Sequence, residues 1–142
     1  MQLETEVLVV GGGPVGLTLA SDLAKREQST ILIESRKGPT THPKATLLGA
    51  RSMEYFRRWG LDDAIYARAL PPEVNYSIIF CTRLSGYEID RFSSPSINEV
   101  RNRPPGAEKR WPELAWSPYG KTQIGQVDLE PVLLEFARSL ES

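Results

Sequence analysis

A glycine-rich turn near the start of the chain carries the clearest chemical signal in the sequence. Its spacing is Gly11-x-Gly13-x-x-Gly16, and Glu34 follows after a further apolar segment. In this pattern Gly11 permits a tight turn, Gly13 has no Cβ to obstruct a pyrophosphate, and Gly16 lets a helix pack closely on a strand. Glu34 offers a carboxylate to ribose hydroxyls and would repel a 2′-phosphate. The pattern therefore predicts a dinucleotide-binding site.

The elements around this turn are those that a phosphate-binding turn requires. The apolar run Glu6–Val10 predicts a strand buried on both faces, Leu17–Ala24 predicts an amphipathic helix, and Thr30–Glu34 predicts a second buried strand. Pro14 fits the first helical turn, where a missing N–H costs nothing. The helix N-terminus then supplies N–H groups and a positive dipole end for the phosphates. A right-handed βαβ unit is expected.

The rest of the chain alternates between helical and strand periodicity. Tyr87–Phe92 follows a turn at residues 84–86, which indicates a hairpin. Residues 93–126 are assigned no regular structure. The predicted elements after the βαβ unit are a loop over Ser35–Lys44, a helix over Ala45–Trp59 closed by Gly60, a short helix over Asp62–Ala69, the hairpin strands Val74–Thr82 and Tyr87–Phe92, and a final helix over Leu129–Leu140.

Composition excludes several classes of protein. The chain has 142 residues, 40% of them hydrophobic, and a formal net charge of −1, which argues against a nucleic-acid partner. With Cys81 and His42 as the single cysteine and histidine, neither a disulfide framework nor a Cys/His zinc site can form within the chain. No window approaches the roughly 20 apolar residues of a membrane span. We therefore expect a cytoplasmic protein with no membrane partner and no metal.

Motifs along most of the chain resemble one enzyme family, the class A flavoprotein monooxygenases. This is the superfamily of para-hydroxybenzoate hydroxylase and phenol hydroxylase. The first of the motifs is shared with dehydrogenases, whereas the other four together are specific. The motifs are Gly11–Ala20, His42–Ala45, Arg51–Glu54, Arg58–Leu61 and Gln126–Leu134.

The resemblance implies a fold and a division of the chain. The fold is α/β, with a Rossmann-like FAD-binding βαβ unit of the glutathione-reductase type and a β-hairpin from an incomplete substrate domain. Residues 1–72 would form the FAD-binding part and its following helices. Residues 73–95 would form the hairpin, and residues 96–142 a loop and a helix that return to the FAD domain.

The resemblance also implies a chemistry. FAD would be bound, NADPH or NADH would reduce it transiently, and oxygen would hydroxylate a phenolic substrate. By position, Lys44 corresponds to the family's basic residue near the FAD phosphates and the incoming nicotinamide, and Arg51 to its second cation at the cofactor. Gln126 corresponds to the glutamine that reaches the FAD linker. No catalytic side chain is assigned. The candidate cofactor-binding residues are Gly11, Gly13, Pro14, Val15, Gly16, Glu34, Ser35, Arg36, Lys44, Arg51 and Gln126.

Three of these candidates have plain structural alternatives. Lys44 could be a solvated loop lysine, and Arg51 could pair with Glu54 or Glu34. Gln126 could simply precede a helix N-cap at residue 128.

The chain departs from the family in length and in two fingerprints. It contains neither an Asp-Gly nor a Gly-Asp dipeptide, on which the family's second and third fingerprints are built. We therefore expect an N-terminal part of such an enzyme, inactive alone, whose partner is the remaining part on the same or a second chain. The alternatives are a fragment of an NAD-dependent Rossmann oxidoreductase, or an interaction module with an empty site. The sequence is also compatible with a homodimer.

Overall fold

The computed structural model describes residues 4–42 and 44–140 as a mixed α/β structure, as the sequence predicts. Pro43, which belongs to the His42–Ala45 motif, lies outside the described residues. The elements in chain order are β1 (Val7–Val10), α1 (Pro14–Ala24), β2 (Thr30–Ile33), β3 (Leu47–Leu48), α2 (Ala50–Arg57), α3 (Asp62–Tyr66), β4 (Tyr76–Cys81), β5 (Glu88–Ser94), α4 (Ile97–Asn102), α5 (Ala107–Arg110), a 3₁₀ helix (Pro112–Ala115), β6 (Thr122–Gln123) and α6 (Gln126–Ser139).

Internal contacts divide the chain into two compact units. The first unit consists of Met1–Thr46 and Gly125–Ser142, and the second consists of Leu47–Ile124. The first unit is therefore built from two segments that are distant in sequence. The functional division at residues 72 and 95 stays a prediction.

The first unit contains the predicted βαβ arrangement. Strands β1 and β2 pair in parallel, with Val7 opposite Thr30 and Val10 opposite Ile33. Helix α1 connects them and packs against both strands and against α6. The unit buries mainly apolar side chains, since these lose water-accessible surface on folding. Its buried apolar residues are Val9, Leu17, Leu129, Val132 and Leu133.

The expectation that the first strand is buried on both faces is wrong for this structure. Val9 is 6% exposed, whereas Leu8 and Val10 are 56% and 75% exposed. Successive side chains of a strand point to opposite faces, and α1 packs on one of them. Ile33, opposite Val10 in the register, is exposed as well. Leu8, Val10 and Ile33 therefore form an exposed apolar sheet face.

The second unit contains the predicted hairpin. Strands β4 and β5 pair antiparallel from Tyr76 opposite Ser94 to Cys81 opposite Glu88, with an irregularity after Phe80. Apolar side chains remain exposed along both strands. They are Ile78, Ile79, Phe80, Ile89 and Phe92.

The helix predicted over residues 45–59 is shorter than expected. Leu47–Leu48 instead form β3, which pairs antiparallel with β6. Helix α2 begins only after Gly49, whose extended backbone is its N-cap. Pairing with a strand some 75 residues later is a tertiary interaction, and helical spacing contains no sign of it. The helix also ends earlier than predicted, at Arg57 with Arg58 as its C-cap. Gly60, with a φ of +73°, closes the turn that follows, and its N–H donates to the carbonyl of Arg57.

Residues 93–126 were expected to be irregular, and this expectation is wrong. They form α4, α5, the 3₁₀ helix and β6. Helix α4 begins with a capping box in which Ser96 and Glu99 exchange hydrogen bonds. Four buried apolar side chains hold these short elements together. They are Val100, Ala107, Trp111 and Leu114.

Candidate functional site

Two of the three motif glycines are required by the packing of the chain itself. Gly11 has a φ of +108°, and its N–H donates to the carbonyl of Ile33 at 2.8 Å, which ties the turn to β2. A Cβ on Gly16 would lie 1.9 Å from the carbonyl oxygen of Gly11. The turn and α1 can therefore approach each other this closely only with glycine at residue 16.

Gly13 is not required in the same way. It is the N-cap of α1, with an extended backbone that any residue can adopt. A Cβ there would meet, among the described residues, only the Oε1 atom of Glu130, at 4.0 Å. The space above Gly13 is therefore open in the part of the chain that the structure describes.

The start of α1 is suited to an anion. The first N–H groups of a helix have no intrahelical partner, and the helix dipole adds positive potential there. Pro14 occupies the first turn, which contains no acidic residue, and none of the described side chains caps the helix. Val15 is 83% exposed beside Gly13. This end of the helix can accept a phosphate group.

Glu34 lies next to the turn and is held as a carboxylate. Its Oε2 accepts the N–H of Gly12 at 2.6 Å, and its Oε1 accepts the N–H of Arg36 at 2.8 Å. The Nε of Arg36 donates to Oε1 as well, at 3.2 Å, and Ser35 Oγ lies 3.3 Å from it. The backbone N–H of Arg36, then its side chain and then the N–H of Gly12, lower the pKa of Glu34 to about 2.

Gln126 is the first residue of α6 and connects it to the preceding loop. Its N–H donates to the carbonyl of Ala45 at 2.8 Å, and its Oε1 accepts the N–H of Ala45 at 3.4 Å. Its Nε2 donates to Glu130 Oε1 at 2.6 Å. The helix is capped by Gly125, without a side-chain bond. The alternative that Gln126 merely precedes an N-cap at residue 128 is therefore wrong, because Gln126 is itself helical.

Glu130 is a polar residue of this region that sequence analysis did not single out. It is fully buried on α6, and its Oε1 lies 3.8 Å from Arg36 Nη2. The sequence signal was available, since Glu130 belongs to the Gln126–Leu134 motif. Gly12, whose N–H orients Glu34, was also passed over.

The two remaining candidate cations are Lys44 and Arg51. Lys44 is exposed. Arg51 belongs to the second unit, is 93% exposed, and pairs with Glu54 at 2.7 Å. Ser117 Oγ also donates to Glu54 at 2.6 Å, and these two donors, Ser117 first, lower the pKa of the Glu54 carboxyl. Pairing with Glu54 is the alternative role expected for Arg51.

Among residues 4–42 and 44–140, no group of three or more His, Cys, Asp or Glu side chains could hold a metal ion. Within those same ranges, none of the helices has the length and apolar character needed to cross a membrane.

Comparison with known proteins gives the family. A family described as "FAD binding domain" matches residues 4–141. The chain belongs to this family. FAD, the cofactor that the resemblance implied, is therefore confirmed by the family.

Individual relatives agree with the family. The chain is 34% identical over 135 residues to phenol 2-monooxygenase of Pseudomonas sp. (strain EST1001). The matched region is 95% of this chain and 21% of that protein. It is 31% identical over 137 residues to 2,4-dichlorophenol 6-monooxygenase of Cupriavidus pinatubonensis, and the matched region is 96% of this chain and 22% of that protein. These names confirm the resemblance to aromatic flavoprotein monooxygenases.

A solved structure agrees with the fold. The flavin-dependent monooxygenase PieE, in complex with FAD and substrate, superposes with a TM-score of 0.76 at 30% identity, over 98% of this chain and 23% of that one. The predicted Rossmann-like FAD-binding fold class is confirmed. The chain spans less than a quarter of the length of these three relatives.

Proposed function

We propose that this chain binds the ADP half of FAD in an NAD(P)H- and oxygen-dependent aromatic monooxygenase. The observation that carries the proposal is the open space above Gly13, next to an ionised Glu34. No described atom near Gly13 explains the absence of a side chain there. A pyrophosphate that approaches the backbone does explain it.

Glu34 and the turn have separate roles in this proposal. The N-terminus of α1, with Gly11, Gly13 and Gly16, binds the pyrophosphate. Glu34 accepts the ribose hydroxyls, because its carboxylate is ionised and partly exposed, with 21% of the side chain accessible. Hydrogen bonds to an ionised acceptor are stronger than neutral ones. The residues therefore fit the adenosine end of FAD.

The other candidate residues keep, in this proposal, the roles that the resemblance implies. Arg36 supplies positive charge beside Glu34, and Gln126 contributes to the FAD linker region. Lys44 and Arg51 act toward the phosphates and the incoming NADH or NADPH. Ser35 lies beside Glu34, and Pro14 and Val15 lie at the start of α1. Bound flavin supplies the oxygen chemistry, and the protein positions it.

The remaining part of the enzyme, on the same or a second chain, is the proposed partner. The relatives are four to five times longer than the matched region, and their names include phenols as substrates. The exposed sheet face Leu8, Val10 and Ile33 and the exposed apolar residues of the hairpin support a further covering segment. A phenolic substrate would bind where that segment completes the site.

The proposal is tested by titrating the chain with FAD, ADP and NAD. We expect ADP and FAD to bind at the same site and to compete, with partial flavin occupancy, because this chain contacts the adenosine and pyrophosphate end. Tight binding of NAD without binding of FAD would instead support the dehydrogenase alternative. Absence of binding to all three would support an interaction module with an empty site.

A further inference from the structure

Helix α6 carries one charged side chain into the interior of the first unit. Glu130 is 0% exposed, and Leu129, Val132 and Leu133 of the same helix are buried with it. Removing a carboxylate from water costs several kcal/mol unless donors surround it. An apolar residue of similar size would avoid this cost. The carboxylate therefore calls for an explanation beyond packing.

Donors from two segments, the loop after β2 and the start of α6, surround this carboxylate. The N–H of Thr40 donates to Oε2 at 2.5 Å, and Gln126 Nε2 donates to Oε1 at 2.6 Å. Arg36 Nη2 lies 3.8 Å from Oε1. The same oxygen is 4.0 Å from the point where a Cβ of Gly13 would stand. Glu130 therefore lies where the loop after β2, the start of α6 and the glycine turn meet.

We infer that Glu130 is a positioning residue for the FAD site. Its two oxygens fix the loop at Thr40 and the amide of Gln126, and its charge attracts Arg36 toward the glycine turn. Glu130 can have this role only if the turn binds FAD, so the role rests on the proposed function. Glu130 would then affect the cofactor only through the residues that it holds in place.

Glutamine at this position could not replace glutamate. Thr40 N–H and Gln126 Nε2 are both donors, and a carboxylate accepts from both. A glutamine amide has one oxygen, so its NH₂ group would face one of the two donors. A buried donor without an acceptor is unfavourable. The loop or Gln126 must therefore shift, even though removal of a negative charge near the turn would favour a phosphate.

The test compares Glu130→Gln with Glu135→Gln in the full chain. Glu135 lies on the same helix and is exposed, so its substitution is a matched control. ADP and FAD are titrated at a temperature where circular dichroism shows each variant folded. We expect dissociation constants about tenfold higher for Glu130→Gln, and unchanged for Glu135→Gln. Unchanged or tighter binding by folded Glu130→Gln would overturn the role.

Two measurements separate positioning from a merely structural effect. A structural role lowers the melting temperature but leaves binding by the folded protein unchanged. A positioning role makes Glu130→Gln and Gln126→Ala non-additive in ADP affinity, because the two side chains are in contact. The Thr40 amide proton should also move upfield in Glu130→Gln, since its acceptor is no longer a charged carboxylate. Additive effects with an unmoved Thr40 resonance would contradict the inference.

The remaining outcomes are also decisive. If Glu130→Gln does not fold, Glu130→Asp is used, because it keeps the charge but withdraws the carboxylate from Thr40 by one methylene. Wild-type affinity in Glu130→Asp would overturn the role, and weaker binding would support it. If the wild-type chain binds neither ADP nor FAD, the proposed function fails and this role fails with it. If the wild type binds and the variants bind equally, only the role of Glu130 fails.

Discussion

Glu34 is the residue whose side chain can be tested most directly. Glu34→Ala removes an ionised acceptor for the ribose hydroxyls, and hydrogen bonds to charged groups contribute roughly 1.5–3 kcal/mol each. We therefore expect affinity for ADP and FAD to fall tenfold or more. Calorimetric titration measures this, with the exposed Glu135→Ala as control. Retention of wild-type affinity would remove Glu34 from the site.

The lowered pKa of Glu34 predicts a pH dependence of stability. Its pKa is about 2 in the folded chain against an ordinary value of 4.5, so the folded state favours the ionised form. The contribution is fully present above pH 4.5 and is lost as the pH falls toward 2. The difference in unfolding free energy between wild type and Glu34→Gln should therefore be constant from pH 7 to about 5. Below that range it should decrease, and urea unfolding at each pH measures it.

At this scale, sequence spacing predicted the residues that we propose to contact the cofactor directly, and it missed Glu130, which we propose to act through others. The glycine spacing and Glu34 follow from the geometry that a pyrophosphate and a ribose demand. Glu130 has no such spacing rule, because its donors come from Thr40 and Gln126, which are distant along the chain. Its burial became visible only in the folded unit.

At the scale of the elements, two glycines of the turn have different roles. Gly13 leaves space for a ligand, and Gly16 allows α1 to pack against the turn. In Gly13→Val the added Cβ meets no described atom closer than 4.0 Å, so the fold should persist while FAD and ADP binding is lost. In Gly16→Val the Cβ would overlap the carbonyl of Gly11, and stability should fall by about 3 kcal/mol. Thermal unfolding and titration of both variants check this. Stoichiometric FAD in purified Gly13→Val would contradict it.

Periodicity predicted the long elements and failed for the short ones. The βαβ unit, the hairpin and α6 each have enough residues for a period to be recognised. Strand β3 has two residues and exists through its pairing with β6. Helix α4 could have been found, because Ser96 and Glu99 have capping-box spacing. The other short elements of residues 93–126 depend on the buried cluster around Trp111 and Leu114.

At the scale of the whole molecule, the chain should not catalyse hydroxylation alone. It spans less than a quarter of the length of its monooxygenase relatives, and a closed site protects reactive species from water. With NADPH, oxygen and a panel of phenols, we expect no hydroxylated product. Any NADPH oxidation should end as hydrogen peroxide. Chromatography and a peroxide assay measure both, and a catechol-type product from the purified chain would contradict the prediction.

The bonds between Ala45 and Gln126 have a consequence for how such proteins diversify. The chain leaves the first unit after Thr46 and re-enters it at Gly125. The neighbouring residues Ala45 and Gln126 are joined by a backbone hydrogen bond of 2.8 Å. Residues 47–124 are therefore an insertion whose ends meet, and its length can change without stretching the host. Recombination at residues 46 and 125 would exchange one insert for another and leave Glu34, Glu130 and the glycine turn together. The glycine turn with Glu34 and the inserted unit can therefore evolve at different rates within one gene.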